Sequence, residues 1–469
     1  MGFQYRSKRR HFEKLTVGNS VWPCVIGVVL LCIFFTVPVD ASSLTEKIDS
    51  YVSSYTRTND FSGCVLAKNK AETLYSKCFG MANVEFGVPN SPSTKFKIGS
   101  ISKQFTAVGI LVLEDQGLLN TRDSVVKYLP EYKSAKNITI HHLLTHTSGV
   151  LDIYALPNFQ KINRDSLSLK QVTDEIFRNE LQHKPGTVYA YSNSGYSILA
   201  RIIEEVSGTT YSGFLETNVF KPLELNSTGD YFDNRVIKNL AVGYDPKGYD
   251  GLLRPDYTND VFVRGSGSIY STVNDLSRWI DALRKGRILS KRSRQKLFTN
   301  HISNYGYGIS VYKSFGKEVF GHDGRISGYI ADYLHYNDDE ISVVILGNIQ
   351  TGVADFFRRD IAAIIFGKEY KSRAKTIPPR TTYPANYRSL VGKYQFGPNF
   401  FVFLELFDGV LKARANEGSY SELVPLETGL YFSRTLYSSI DFEFDESKKP
   451  TRMIWVNNDG NRFEGEKVN

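Results

Sequence analysis

Beyond residue 41 the chain has no unbroken run of more than two Lys or Arg. Its net charge is +8, of which the first 41 residues carry +3, leaving +5 spread over the rest of the 469 residues. That describes a mildly basic, solvated surface and excludes a nucleic-acid-binding reading. No Gly-x-Ser-x-Gly elbow occurs, which removes the α/β-hydrolase triad. No Gly-rich phosphate loop occurs either. His141, His142 and His146 form "HHLLTH", but the adjacent Glu of a His-Glu-x-x-His site is missing and no carboxylate or cysteine partner is placed nearby. These three read as structural histidines rather than a metal centre. Helical repeats, solenoid repeats and low-complexity tracts are absent. Cysteine is scarce: four in all, with Cys24 and Cys32 near the amino terminus and only Cys64 and Cys78 beyond it.

What is present begins with a leader. A basic stretch from Arg6 to Lys14 precedes the uncharged run "VWPCVIGVVLLCIFFTVPV", residues 21–39, and small residues follow around Ala41. Basic, then apolar, then small is the layout of a secretory signal over residues 1–41. At 19 residues the run is also long enough to stay as a membrane anchor. Both readings put the bulk of the chain outside the cytoplasm, secreted, periplasmic or tethered. There, "SGCVLA" and "TLYSKCFG" read as a hairpin centred near Ala71, with Cys64 against Cys78. A disulfide suits an oxidising compartment; two small buried hydrophobes are the alternative.

The pattern of elements sets the organisation. A helix, "SLTEKIDSYVSSYTR", places Leu44, Ile48 and Val52 on one face. Hairpin strands follow, then a stretch rich in helix and loop from about 95 to 300. Strands return with "YGYGISVY", "KEVFGHDG", "GYIADYLHY" and "ISVVILGN", and a helix closes the unit near Gly367. The simplest packing is α+β: an antiparallel sheet covered by helices, with a separate mostly helical lobe, over 42–368. Residues 369–386 hold Pro378, Pro379 and Pro384 and read as a linker. From 387 to 469 the turn signals Asp408-Gly409 and Asp459-Gly460 imply a small all-β domain.

"FKIGSISKQFTA", residues 96–107, is where chemistry enters. Apolar positions Phe105, Val108, Ile110, Leu111 and Leu113 predict a helix running to Gly117, with Ser100 at its amino end. Backbone N–H groups there favour negative charge. Lys103, three positions on, shares the face of Ser100. Its place in the first turn, and any burial, push its pKa down toward that of a working base. Alone, this pattern reads as a helix cap and a surface lysine. Ser102 reads as a spacer with a capping role at most. Two further clusters change the balance. Tyr191-Ser192-Asn193 precedes an amphipathic helix, and His322-Asp323-Gly324 ends a strand, where glycine lets a ligand approach the backbone.

Ser-x-x-Lys, Tyr-x-Asn and (Lys/His)-x-Gly in this order resemble the penicillin-recognising serine hydrolases. The Tyr-x-Asn form is similar to the branch of class C β-lactamases, D-Ala-D-Ala carboxypeptidases, D-aminopeptidases and esterases. "LLTHTSGV", "PGTVYAYSNSGY", "GSGSIYSTVNDLSRW" and "GHDGRISGY" carry the likeness across residues 44–367. The resemblance implies a β-lactamase/transpeptidase-like fold and an acyl-enzyme mechanism without metal or organic cofactor. The substrate would be a small molecule or peptide: a cell-wall peptide, a β-lactam or an ester. By position, Ser100 would be the nucleophile, with Lys103 and Tyr191 moving its proton. Asn193, His322 and Gly324 would line the substrate. Backbone N–H groups of Ser100 and Arg325 would form the oxyanion hole, each such donor being worth about 3 kcal/mol in the transition state. The departure is His-Asp-Gly in place of Lys-Thr-Gly. Losing the permanent charge of that lysine favours a peptidase or esterase over a β-lactamase, unless Arg325 restores it. A catalytically silent relative that binds a cell-wall peptide or a partner is the rival from another class, and it has no need of Lys103.

Overall fold

The computed structural model describes residues 41–468, apart from 71, 232–234, 398–399 and 417–419. The leader, with its apolar run over 21–39, lies outside the described residues. Among the described residues no helix is long and apolar enough to cross a membrane.

The chain enters through α1 (Ala41–Thr56), which buries Ile48 and Val52, four apart, on one face. β1 (Gly63–Asn69) and β2 (Glu72–Phe79) form a hairpin whose register sets Cys64 opposite Cys78, and the two sulfurs are joined. α2 (Ser102–Asp115) is buried at every residue from Ser102 to Leu113, so it is enclosed on all sides by other elements. It stops two residues before the expected Gly117, because Gln116 caps it and Gly117 turns the chain at φ 76°. α3 (Asn193–Ser207) starts on Ser192, whose Oγ accepts from Gly195 N at 3.2 Å, and ends on Gly208 at φ 68°. α4 (Val273–Lys285) starts on Thr272 in the same way. Phe105 of α2 stacks on Trp279 of α4 at 4.0 Å. Gln104 Oε1 then accepts from both Trp279 Nε1 and Tyr333 OH, at 2.9 and 2.8 Å.

The remaining strands of this sheet are β3 (Ser310–Ser314), β4 (Lys317–Ile326), β5 (Tyr329–Tyr336) and β6 (Ile341–Gly347), followed by α5 (Ala354–Ile365). All six pair antiparallel in the order β3-β4-β5-β6-β1-β2. Alternation along the strands divides two cores. Cys64, Leu66, Val344 and Leu346 pack with α2 and α4. Val65, Ala67, Val343 and Ile345 pack with α1 and α5. Between β2 and β3 the chain is mostly helix and loop, forming the lobe that holds α2, α3 and α4. One register detail positions the site. β3 pairs with β4 only from Lys317 to Gly321, so His322 to Ile326 form an edge with β5 as their single strand neighbour.

Residues 392–468 build a nine-stranded antiparallel sheet around Leu390, Tyr394, Leu404, Leu411 and Ile440. Asp408 and Gly409 both take positive φ, as a two-residue hairpin requires. The Asp459-Gly460 turn is longer: Asn457 Oδ1 accepts from Asp459 N and Asn461 N, at 3.0 and 2.9 Å. The proline-rich segment ahead of this sheet is pinned to the six-stranded unit. Arg373 pairs with Asp360 at 2.5 Å and Lys375 with Asp60 at 3.1 Å.

Candidate active site

Ser100 lies on the 3-10 turn Gly99–Ile101 that leads into α2. It caps nothing, since the N-cap of α2 is Ile101 and makes no side-chain bond. Ser102 Oγ instead accepts from Ile269 N at 3.0 Å and ties the helix start to a neighbouring strand. Two glycines let the turn press against β4. A Cβ on Gly99, at φ 50°, would lie 2.7 Å from Arg325 N, and one on Gly324 would lie 2.0 Å from Ile98 O. No side chain fits at either place. The backbone N–H groups of Ser100 and Arg325 flank this close approach.

Lys103 is fully buried, and its Nζ meets three oxygens: Ser100 Oγ at 3.1 Å, Asn193 Oδ1 at 2.8 Å and Ser266 O at 2.9 Å. Burial pushes its pKa down to about 7, against the pull of Asp152 and Asp323. A neutral amine has two hydrogens and one lone pair. Asn193 Oδ1 and Ser266 O can only accept, so they take the hydrogens and the lone pair is left for the Ser100 hydroxyl. The Asn193 amide is oriented by Asp152, whose Oδ2 accepts from Asn193 N at 2.6 Å and Nδ2 at 3.1 Å. Nothing in the sequence singles out Asp152, which stands 41 positions before its partner.

Tyr191 precedes the Ser192 cap. Its ring centre is 4.7 Å from Lys103 Nζ, which places it beside the Ser100–Lys103 pair. Desolvation of the phenol lifts its pKa above the usual tyrosine value, with the Ser100 side chain nearby pulling the other way. The residue is still 40% exposed and forms the rim of the site. His146 brackets Tyr191 on both sides. Its backbone O accepts from Ala190 N at 2.8 Å, and its Nδ1 accepts from Ser192 N at 3.0 Å. Its ring lies 4.3 Å from that of Tyr191. Burial, with Lys103 and His322 nearby, drives its pKa far below the ordinary histidine value, so the ring is neutral. The other two histidines of "HHLLTH" have different tasks. His141 Nδ1 bonds Tyr307 OH at 2.7 Å, and His142 closes a capping box with Thr139. Among the described residues no group of three His, Cys, Asp or Glu could hold a metal ion.

His322 is 4% exposed on the edge of β4. Its Nδ1 donates to Asp323 O at 2.5 Å, and its Nε2 accepts from Tyr305 OH at 2.9 Å. Both ring nitrogens are used, and burial lowers the pKa despite Asp323. Tyr305 also packs on His146 at 4.8 Å. Asp323, next along the strand, stands opposite Asp332 on the reverse face from His322, and the Asp332 carboxylate pairs with Arg358. The Arg325 side chain is also engaged, donating to Asp355 and to Thr435 O.

The family model described as Beta-lactamase matches residues 48–367. Penicillin-binding protein 4* of Bacillus subtilis is 28% identical over 424 residues, covering 85% of this chain and 93% of that protein. Teichoic acid D-alanine hydrolase of Staphylococcus aureus is 28% identical over 307 residues, covering 64% of this chain and 73% of its own. Among solved structures, a penicillin binding protein from Bacillus halodurans aligns with a TM-score of 0.59 at 25% identity, over 70% of this chain and 98% of that one. The octameric penicillin-binding protein homologue from Pyrococcus abyssi aligns with a TM-score of 0.62 at 23% identity, over 90% of this chain and 99% of that one, a likeness of fold alone.

Proposed function

The chain belongs to the β-lactamase family of serine hydrolases, and on that premise we propose that Ser100 is acylated by an amide or ester substrate of the peptidase and esterase type. The observation that carries this is the coordination of Lys103. Two obligate acceptors hold its hydrogens, and its lone pair meets the Ser100 hydroxyl. Ser100 Oγ attacks the substrate carbonyl while Lys103 takes the serine proton. The oxyanion settles on the N–H groups of Ser100 and Arg325. The tetrahedral intermediate collapses, the amine or alkoxide leaves, and Tyr191 relays a proton to it. A phenol with a raised pKa keeps that proton near neutrality. Water then repeats the sequence on the acyl-enzyme and frees the acid. Asn193 offers its second amide hydrogen to a carbonyl on the acyl side.

Charge favours amides and esters without a carboxylate over β-lactams and over peptides with a free C-terminus. A carboxylate-bearing substrate needs a cation, and three candidates are occupied. Lys103 is held near neutrality. His322 has both nitrogens bonded. Arg325 turns its guanidinium to Asp355 and Thr435. The relative named for hydrolysing D-alanine from teichoic acid supports the ester arm of this reading. The test is a panel on wild type and Ser100→Ala: a chromogenic cephalosporin, D-Ala-D-Ala peptides, D-amino-acid amides and short p-nitrophenyl esters. Turnover of esters or amides, lost in Ser100→Ala, supports the proposal. Cephalosporin as the fastest substrate would make the protein a β-lactamase instead. No turnover of any substrate would favour a silent binder. An extracellular location, with residues 1–41 as signal or anchor, belongs to the same proposal.

A further inference from the structure

We propose that the C-terminal sheet is a working part of the active site, because its 434–437 turn fixes the Arg325 end of β4 and with it the backbone N–H assigned to the oxyanion. The proposal rests on that assignment.

The turn joins strands Tyr431–Ser433 and Ser438–Phe444, and it is plugged into the catalytic unit. Arg434 is 2% exposed. Its Nε donates to Asp60 Oδ1 at 2.8 Å, its Nη1 to Gly251 O at 2.7 Å and its Nη2 to Asn59 O at 2.5 Å. Its backbone O accepts from Gly352 N at 3.0 Å. Tyr437 OH adds a bond to Asp60 Oδ2 at 3.1 Å, and its ring packs on Phe356 of α5 at 5.5 Å. A buried carboxylate held by two cations and a phenol is costly to uncover, so this contact keeps the turn in place.

The turn then reaches the reaction centre in one step. Thr435 O accepts from Arg325 Nη1 at 3.2 Å, and the same guanidinium pairs with Asp355 on α5. Arg325 lies on the stretch of β4 that has β5 as its single strand neighbour. On the open side, nothing in the sheet restrains it. Its N lies where a Cβ on Gly99 would be 2.7 Å away, so the strand and the Ser100 turn have no slack between them. With the Ser100 turn pressed on the backbone from one side, the Thr435 contact supplies a second restraint through the Arg325 side chain.

The test uses the full chain. Arg325→Gln keeps the backbone N–H and removes the guanidinium; Arg325→Lys keeps the charge. Gly352→Ala is a wedge at the docking surface, since its Cβ would meet Leu436 C at 2.7 Å. Leu436→Gly loosens the same turn at a position 44% exposed, leaving the buried contacts intact. The readout is kcat and KM on a p-nitrophenyl ester, with the melting temperature as a check on folding. Arg325→Gln should lower kcat about tenfold, within the range for a weakened oxyanion donor, with KM little changed. Arg325→Lys should recover part of that loss. Gly352→Ala and Leu436→Gly should lower kcat in the same way, and each combined with Arg325→Gln should cost less than the product of the single effects. Wild-type kcat in Leu436→Gly and in folded Gly352→Ala overturns the proposal, as does full multiplication in the doubles. Ser100→Ala separates the two levels. If it abolishes turnover while the turn variants behave as wild type, the tether is wrong and the nucleophile stands.

Discussion

Replacing Lys103 with Met tests whether the amine is held neutral. In the fold its pKa is about 7, against an ordinary value of 10.5, because burial strips its hydration. That gap corresponds to about 5 kcal/mol between the two protonation states. The sign follows from proton counting. Between pH 7 and 10.5 the unfolded chain keeps a proton on Lys103 that the folded chain has released, so wild-type stability rises with pH across that window. Lys103→Met has no such proton. Working the two binding curves from pH 6 to pH 9, wild type should gain roughly 2.5 kcal/mol relative to Lys103→Met. Chemical denaturation of both proteins at the two pH values measures this, and titrations elsewhere in the chain largely cancel in the comparison. In wild type, kcat/KM should also rise through an apparent pKa near 7, the step of a lysine that must lose its proton. A stability gap equal at pH 6 and pH 9 would mean that Lys103 stays charged, and the general-base assignment would fail.

The other expectations concern its neighbours. Tyr191→Phe removes the relay and should lower kcat by several orders of magnitude. Combining it with Lys103→Ala should add little, because the two act as one unit. Asp152→Ala frees the Asn193 amide to turn its Nδ2 toward Lys103, so kcat should fall at least tenfold while the fold persists; unchanged kinetics would show that Asn193 needs no orienter. His146→Asn can still accept from Ser192 N and tolerates the φ of 58° at this position, whereas His146→Ala does neither well. The Asn variant should therefore keep the higher kcat, and equal losses would remove His146 from the positioning of Tyr191.

Legibility in the sequence followed distance along the chain. Ser100 and Lys103 could be read because one helical turn links them, and Tyr191 with Asn193 because one helix start holds both. The α+β architecture could be read because strand segments at both ends of the unit bracket a helical stretch, and those strands do join in one sheet. What escaped depends on contacts between remote segments. Asp152 meets Asn193 across 41 positions, and Arg325 meets Thr435 across 110. The Arg325 guanidinium turns to Asp355 and Thr435, contacts that no spacing in the sequence shows. His146 looked like part of a histidine cluster, yet its work is done by a backbone carbonyl and one ring nitrogen, on a turn no spacing rule would place beside it. α2 ends two residues short of Gly117 because that glycine is the turn beyond its cap, a distinction the apolar spacing does not carry.

The central claim is that Ser100 becomes acylated. Treating the folded protein with a fluorophosphonate and mapping the adduct by peptide mass spectrometry tests it most directly. The account predicts one adduct, on the peptide containing Ser100, formed faster above pH 7 than below it and absent in Ser100→Ala. An adduct on another residue, or ester turnover that survives Ser100→Ala, would contradict it.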